Sequence, residues 1–293
     1  MQISAAAVKE LRERSGAGMM ECKNALVETG GDLEAALEHL RKSGAAKAAK
    51  KAGRIAAEGT VVVAERAGQA VVVEINSETD FVANDDNFTH FSTTVGEALL
   101  DHTPADVEGL GALTMPGSGE TIEAARQQLV LKIGENISIR RFEQRKAAAG
   151  QTLGAYRHGK RIGVLVTLEG GTPELAKDIA MHVAATNPTC ISEDEVPAEL
   201  LAKEKEIRVA QAATSGKPAD IVEKMVSGQM RKFVAEITLL GQAFVKDPDT
   251  TVGKLLGGKA KVLNFVRYEV GEGIEKKTVD FAEEVKAQAR AAD

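Results

Sequence analysis

The chain has 293 residues, 43 acidic against 37 basic for a net charge of -6, and 43% of it is apolar. That length suggests about two domains with real cores, and the acidic balance argues against direct nucleic-acid binding, for which strongly basic domains are usual. No run approaches the ~20 apolar residues of a membrane span, and Met1-Gln2-Ile3-Ser4 lacks the basic head and apolar region of an export signal, so a cytoplasmic location is expected.

Helical spacing of Ala7, Val8 and Leu11, then of Cys22, Ala25 and Leu26, then of Leu33, Ala36, Leu37 and Leu40 predicts three short helices. Gly16 and Gly18 separate the first two, and Gly30-Gly31-Asp32 supplies a stop followed by a cap. Residues 1–54 therefore read as a compact three-helix module and a linker, the linker being the basic, Ala-rich stretch around Lys47, Lys50, Lys51 and Arg54, which offers no broad apolar face and is either helical or irregular. Cys22 and Cys190 have no Cys or His spaced near them as metal ligands, so both are expected as buried thiols rather than a zinc site or a disulfide.

From Glu58 the period changes to that of strands. Val-rich runs at Thr60 to Ala64 and Ala70 to Asn76 flank Arg66-Ala67-Gly68-Gln69 and predict a hairpin. Helices are expected from about Asn87 to Leu100 and from Thr121 to near Gly134, with loops around Pro104, Pro116, Gly117 and Gly119, and then a strand from Ile137 to Phe142. The order recurs: a hairpin at Leu153 to Arg157 and Arg161 to Leu168, a helix from Pro173 to about Ala185, and much later a strand from Val262 to Tyr268. The fold class is α+β, a duplicated unit of hairpin, helix, helix and strand in which each small antiparallel sheet is covered by helices. Its first copy spans residues 55–145, and its second spans 146–187 and 229–270. Between them, residues 188–228 form an antiparallel helical hairpin, with Leu200, Leu201, Glu204, Ile207 and Arg208 on one arm and Ile221, Val222, Met225 and Val226 on the other. Such a hairpin cannot bury much of its own surface, which makes it a candidate homodimer contact. Residues 271–293 form a C-terminal module, with Phe281, Val285 and Ala289 on one helix face.

Nothing in the chain points to chemical catalysis. His39, His90, His102, His158 and His182 are scattered, and no Ser or Cys sits in a nucleophile context. Glu78, Asp80, Asp85 and Asp86 share one exposed acidic stretch with nothing to raise a pKa. Gly257-Gly258-Lys259-Ala260 lacks the spacing and hydroxyl of a phosphate loop, so no bound nucleotide or other cofactor is expected.

Thr79 to Asn84 stand out, because an acid and one of only eight phenylalanines sit where a strand hands over to a helix. Two readings remain open. In one, Thr79 or Ser77 caps a helix, Asp80 favours its positive end, and Phe81 and Val82 fold back on the core. In the other, Phe81 points outward as a wedge into a partner, with Asp80 beside it. Met19 and Met20 are likewise either core filler or a soft contact patch, and Arg12 either a solvated charge or a residue lying along that patch.

Thr79-Asp80-Phe81-Val82-Ala83, together with Leu11 to Lys23 and Lys132-Ile133-Gly134-Glu135-Asn136-Ile137, closely resembles the bacterial elongation factor Ts family, and the likeness spans the whole chain. The resemblance implies a guanine-nucleotide exchange factor for elongation factor Tu. It implies a ubiquitin-associated-like first module that docks on the partner's G domain through Arg12, Met19 and Met20, and core halves that reach its G domain and third domain. It further implies a helical hairpin able to self-associate, and a Thr79, Asp80, Phe81 and Val82 corner that intrudes beside the partner's magnesium site. Asn84 stands where the family often has a basic residue, so an ion pair from that position is not carried over; Ser15 and Glu21 replace Thr and Asp and keep their chemistry. The alternative from another class is an adaptor that binds a different protein through the first module.

Overall fold

In a computed structural model of the chain, the residues described are 3–214 and 218–275. Ser4 caps helix α1 (Ala5–Ser15), its hydroxyl accepting from Ala7 N at 3.1 Å. Helix α2 (Met19–Glu28) begins after Gly18, whose N–H donates to the Glu21 carboxylate, and Asp32 caps helix α3 (Leu33–Lys51) by accepting from Ala35 N at 3.0 Å. Leu11, Cys22, Ala25, Leu26, Ala36 and Leu40 form a core of their own. The stretch read as a linker is helical as far as Lys51, where it continues α3, and Gly44 and Ala48 on this part of the helix are buried. Its inner face is built of residues too small to register as apolar, yet their smallness is what allows another helix to approach closely.

Strands β1 (Glu58–Arg66) and β2 (Gln69–Ser77) form a hairpin around Ala67-Gly68. They are followed by the single turn α4 (Asp80–Ala83), then α5 (Asp86–Asp101), α6 (Val107–Ala112), α7 (Ile122–Ile133) and strand β3 (Ser138–Lys146), which pairs antiparallel with β2. Helix α6 lies where only loop was expected; six residues with two glycines carry no readable period. Val62, Val71, Val73 and Ile75 of the sheet pack on Phe88, Val95 and Leu99 of α5 and on Leu129 and Val130 of α7. On its other side α7 meets α3, where a Cβ on Gly44 would lie 3.6 Å from a Leu131 methyl.

The pattern then repeats through β4 (Gln151–His158), β5 (Ile162–Gly170) and α8 (Pro173–Thr186). An inserted hairpin of α9 (Ala198–Ala213) and α10 (Ala219–Ile237) follows, then a short ribbon of β6 (Ala243–Phe244) and β7 (Asp247–Thr251), helix α11 (Val252–Leu256) and strand β8 (Ala260–Glu269), which pairs with β5. Helix α10 runs past residue 229 to Ile237, so the boundary expected at 228/229 falls inside a helix, and the β6–β7 ribbon was not foreseen. The helix face of Phe281, Val285 and Ala289 expected within residues 271–293 lies outside the described residues. Both sheets are antiparallel, with orders β1-β2-β3 and β4-β5-β8, and both middle strands carry a register shift just after their sixth residue, Glu74 in one and Thr167 in the other. The fold is α+β.

The two sheets meet through Val61, Val72, Leu165, Tyr268 and Val270. Gly163 sets how closely, because a Cβ there would stand 2.8 Å from Val63 Cγ2 and 2.9 Å from Val72 Cγ2, and closer still to Val61. Cys22 is buried as expected, whereas Cys190 is only half-buried, and both are free thiols.

At the edge of this joint the Glu74 side chain is 0% exposed. Its carboxylate accepts from Arg141 Nε at 2.6 Å, Gly271 N at 2.8 Å, Arg140 Nη1 at 3.0 Å and Asn76 Nδ2 at 3.1 Å. Burial alone would push its pKa up, but the Gly271 N–H, Arg141, Asn76 and Arg140 together outweigh burial and hold it below its ordinary value. A pKa depressed by folding stabilises the fold above the ordinary carboxylate range and withdraws that stability as pH falls through the folded value. Urea titrations should therefore show stability falling with acidification below that range, and Glu74→Gln should flatten this dependence while costing roughly 2–3 kcal/mol at neutral pH. The cost stays below that of a fully buried pair because both guanidinium groups remain partly exposed.

Candidate functional site: the corner between β2 and α4

Strand β2 ends at Ser77, whose hydroxyl donates to Thr79 O at 2.9 Å and so bends the chain out of the sheet. Thr79 is extended (φ -121°, ψ 158°) and its Oγ1 accepts from Val82 N at 3.4 Å, capping the one turn of α4. Asn84 closes the turn by donating from Nδ2 to Asp80 O at 2.9 Å, and its Oδ1 accepts from Lys160 Nζ, on the β4–β5 loop, at 2.8 Å. Position 84 thus ties the corner to the second copy of the fold.

A single turn sends adjacent side chains in different directions. Val82 and Ala83 are buried against the first core, whereas Asp80 is exposed and Phe81 is 84% exposed. The capping reading holds for Thr79 and Val82, and it fails for Phe81, which does not fold back.

Beneath the corner lies a clamp that sequence reasoning did not assign. Gly134 ends α7 in the left-handed region (φ 89°), which places Glu135 under the backbone of Glu78 and Thr79. The Glu135 carboxylate accepts from Glu78 N at 3.1 Å, Thr79 N at 3.0 Å and Thr79 Oγ1 at 2.7 Å. In return Glu78 Oε1 accepts from Asn136 N at 2.6 Å, while Asn136 Nδ2 donates to Arg54 O at 2.8 Å. The signal was present, since Lys132 to Ile137 stood out as a motif, but a contact across 56 residues of chain has no local pattern.

The second group of predicted site residues lies on the first module. Arg12 is exposed on α1, and Met19 and Met20, 60% and 64% exposed, open α2 together with Val27 farther along it. The core-filler reading of the methionines is therefore set aside. The two groups sit on different elements, joined through α7: Lys51 of α3 donates to Gly134 O, and Lys132 Nζ donates to Asn87 Oδ1 at 2.7 Å. Among the described residues no His, Cys, Asp or Glu cluster could hold a metal ion, and no helix is long and apolar enough to cross a membrane.

A family model described as elongation factor TS matches residues 78–272, beginning at the corner itself. A curated protein named elongation factor Ts from Thioalkalivibrio sulfidiphilus is 65% identical, with 100% of each chain covered. The chain belongs to the elongation factor Ts family. Further members from Alkalilimnicola ehrlichii and Methylococcus capsulatus are each 58% identical, covering 99% of this chain and 99% and 100% of their own. Residues 1–77 lie outside the family model's match, but these full-length relatives include them, so the elongation factor Ts likeness extends to the module that carries Arg12, Met19 and Met20.

Exposure separates the two neighbours in the corner. Thermal unfolding should show Phe81→Ala within about 0.5 kcal/mol of the parent, and Val82→Ala destabilised by about 1–2 kcal/mol.

Proposed function

We propose that the chain is the guanine-nucleotide exchange factor for elongation factor Tu in protein synthesis, acting as a binding protein without chemical catalysis of its own. The observation that carries this reading is Phe81, a large aromatic held outside the core on a braced corner in a chain of this family. Arg12, Met19 and Met20 dock the first module on the partner's G domain, and the corner of Thr79, Asp80, Phe81 and Val82 approaches its magnesium and phosphate site through the exposed Asp80 and Phe81, while Val82, turned into its own core, anchors the turn instead of intruding. GTPases hold GDP largely through a phosphate loop and a bridging magnesium ion, so displacing the ligands of that ion removes contacts without touching the nucleotide. Phe81 supplies the wedge, and Asp80 places negative charge beside the cation. An adaptor working through the first module alone would leave the exposure of Phe81 unexplained. A homodimer through residues 188–228 is supported by the exposed Ile207, Val209 and Ile221 of the inserted hairpin, and light scattering of the free protein tests it.

The decisive measurement is release of a fluorescent GDP from elongation factor Tu. Phe81→Ala should slow stimulated release at least about tenfold, as expected for loss of an aromatic anchor, and Asp80→Ala should slow it as well. Unchanged rates for both variants would sink the wedge. Replacing Met19 and Met20 together by Ala should instead raise the dissociation constant for the partner.

A further inference from the structure

An outward Phe81 is useful only if its direction is fixed, and a four-residue turn cannot fix it alone, because short isolated helical turns are not stable. The fixing comes from Glu135. One oxygen of its carboxylate accepts from both Glu78 N (3.1 Å) and Thr79 N (3.0 Å), and the other accepts the Thr79 hydroxyl proton (2.7 Å). With its proton committed there, Thr79 Oγ1 has only lone pairs left for Val82 N, at 3.4 Å. A single carboxylate therefore sets both the backbone entering the turn and the polarity of its cap. Glu135 is itself firmly seated, because it follows the cap of α7, a helix that packs on α3 and whose Gly134 carbonyl receives Lys51.

We infer that Glu135 is a positioning residue for nucleotide release, aiming Phe81 by locking the backbone of Glu78 and Thr79. The inference rests on the wedge reading given above. Glutamine is the informative replacement because it keeps the volume and breaks the pattern. An amide has one acceptor oxygen and a donor NH2. If the oxygen serves the two backbone N–H groups, the NH2 donates to Thr79 Oγ1 and leaves the hydroxyl proton that fixed the polarity of the cap without its acceptor; if the amide flips, its NH2 opposes the Glu78 and Thr79 N–H donors.

The test combines two readouts. In the free factor, hydrogen exchange at the Val82 amide should quicken about tenfold in Glu135→Gln, since a local tie is lost while the global fold stays closed; unchanged exchange overturns the inference whatever the partner does. With elongation factor Tu and fluorescent GDP, Glu135→Gln and Glu135→Ala should lower the maximal release rate by about tenfold. The half-saturating concentration should stay within about twofold, because the docking residues are intact. In a double-mutant cycle, adding Glu135→Ala to Phe81→Ala should slow release by much less than the tenfold it causes alone, the remainder being what the loosened turn costs Asp80. Additive slowing, or a normal rate in the Glu135 variants beside a slow Phe81→Ala, overturns the inference and leaves the wedge standing. A normal rate in Phe81→Ala sinks the wedge, and the inference falls with it. Should Glu135→Ala fail to fold, the isosteric Glu135→Gln, paired with Phe81→Ala, reads the same cycle.

Discussion

The buried carboxylate of Glu74 is the interaction on which the arrangement of the two halves depends. It sits at the register shift of β2, where a bulge would otherwise leave polar backbone and side chains facing an apolar joint. Four donors converge on it, from its own strand, from β3 and from Gly271 just beyond β8, so one charge ties the first sheet to the end of the second. Arg141 makes a further link by lying 4.2 Å from the centre of the Tyr268 ring. A buried ion pair of this kind adds little net stability, because desolvation offsets much of the attraction. What it adds is geometry: in this register and orientation four donors from three segments reach one carboxylate. The equivalent position in the second copy is Thr167, a neutral residue, so the charged lock occurs once and the duplicated halves are not interchangeable.

Fixing β2 in this way fixes where it ends, and the corner inherits that placement. Three residues separate Glu74 from Glu78, and Glu78 is where the clamp from α7 begins. The same α7 is braced against α3, the longest helix of the first module. A continuous path of packed and hydrogen-bonded groups therefore runs from the exposed methionines of α2 to Phe81, without a flexible linker in it. Small residues on α3 make that path possible, because at Gly44 even a methyl group would already touch Gln127 and Leu131 of α7 at 3.6 Å.

The sequence was most legible where periodicity and capping agree. Val-rich runs located the first hairpin, Thr121 and Gly134 bounded α7 at the observed cap residues, and Asp32 began α3 where it was expected to. The repeat of hairpin and helices was readable because each copy carries the same order of periods. Legibility failed where burial rests on small residues or on contacts distant in sequence. Gly44 and Ala48 contribute too little apolar area to mark a buried face, so the last turns of α3 read as a linker whose helicity stayed open. Glu135 lay inside a recognised motif, but its role had no local pattern, since its partners are backbone N–H groups and a hydroxyl just beyond the end of the neighbouring strand β2. In the corner, residue chemistry alone left two directions open for Phe81; the single turn of α4 decides between them by sending Val82 inward and Phe81 out.

An exposed phenylalanine on a stiff mount is costly to solubility and adds nothing to folding, so its presence has to be explained by what it meets. A wedge works only through interactions that differ between the nucleotide-bound and nucleotide-free partner. If Phe81 could swing, much of its contact energy would go into ordering the side chain and turn on binding, and less would remain to displace the partner's groups. Holding it rigid beforehand moves that ordering into folding, where Glu135, Thr79 and Asn84 supply the ties. The same coupling sets the limit of the device: whatever factor the corner takes from nucleotide affinity, nucleotide takes from the affinity of the corner. On the proposed role, rigid presentation of Phe81 would speed release without shifting the balance between GDP and GTP, and the arriving nucleotide would remove the factor.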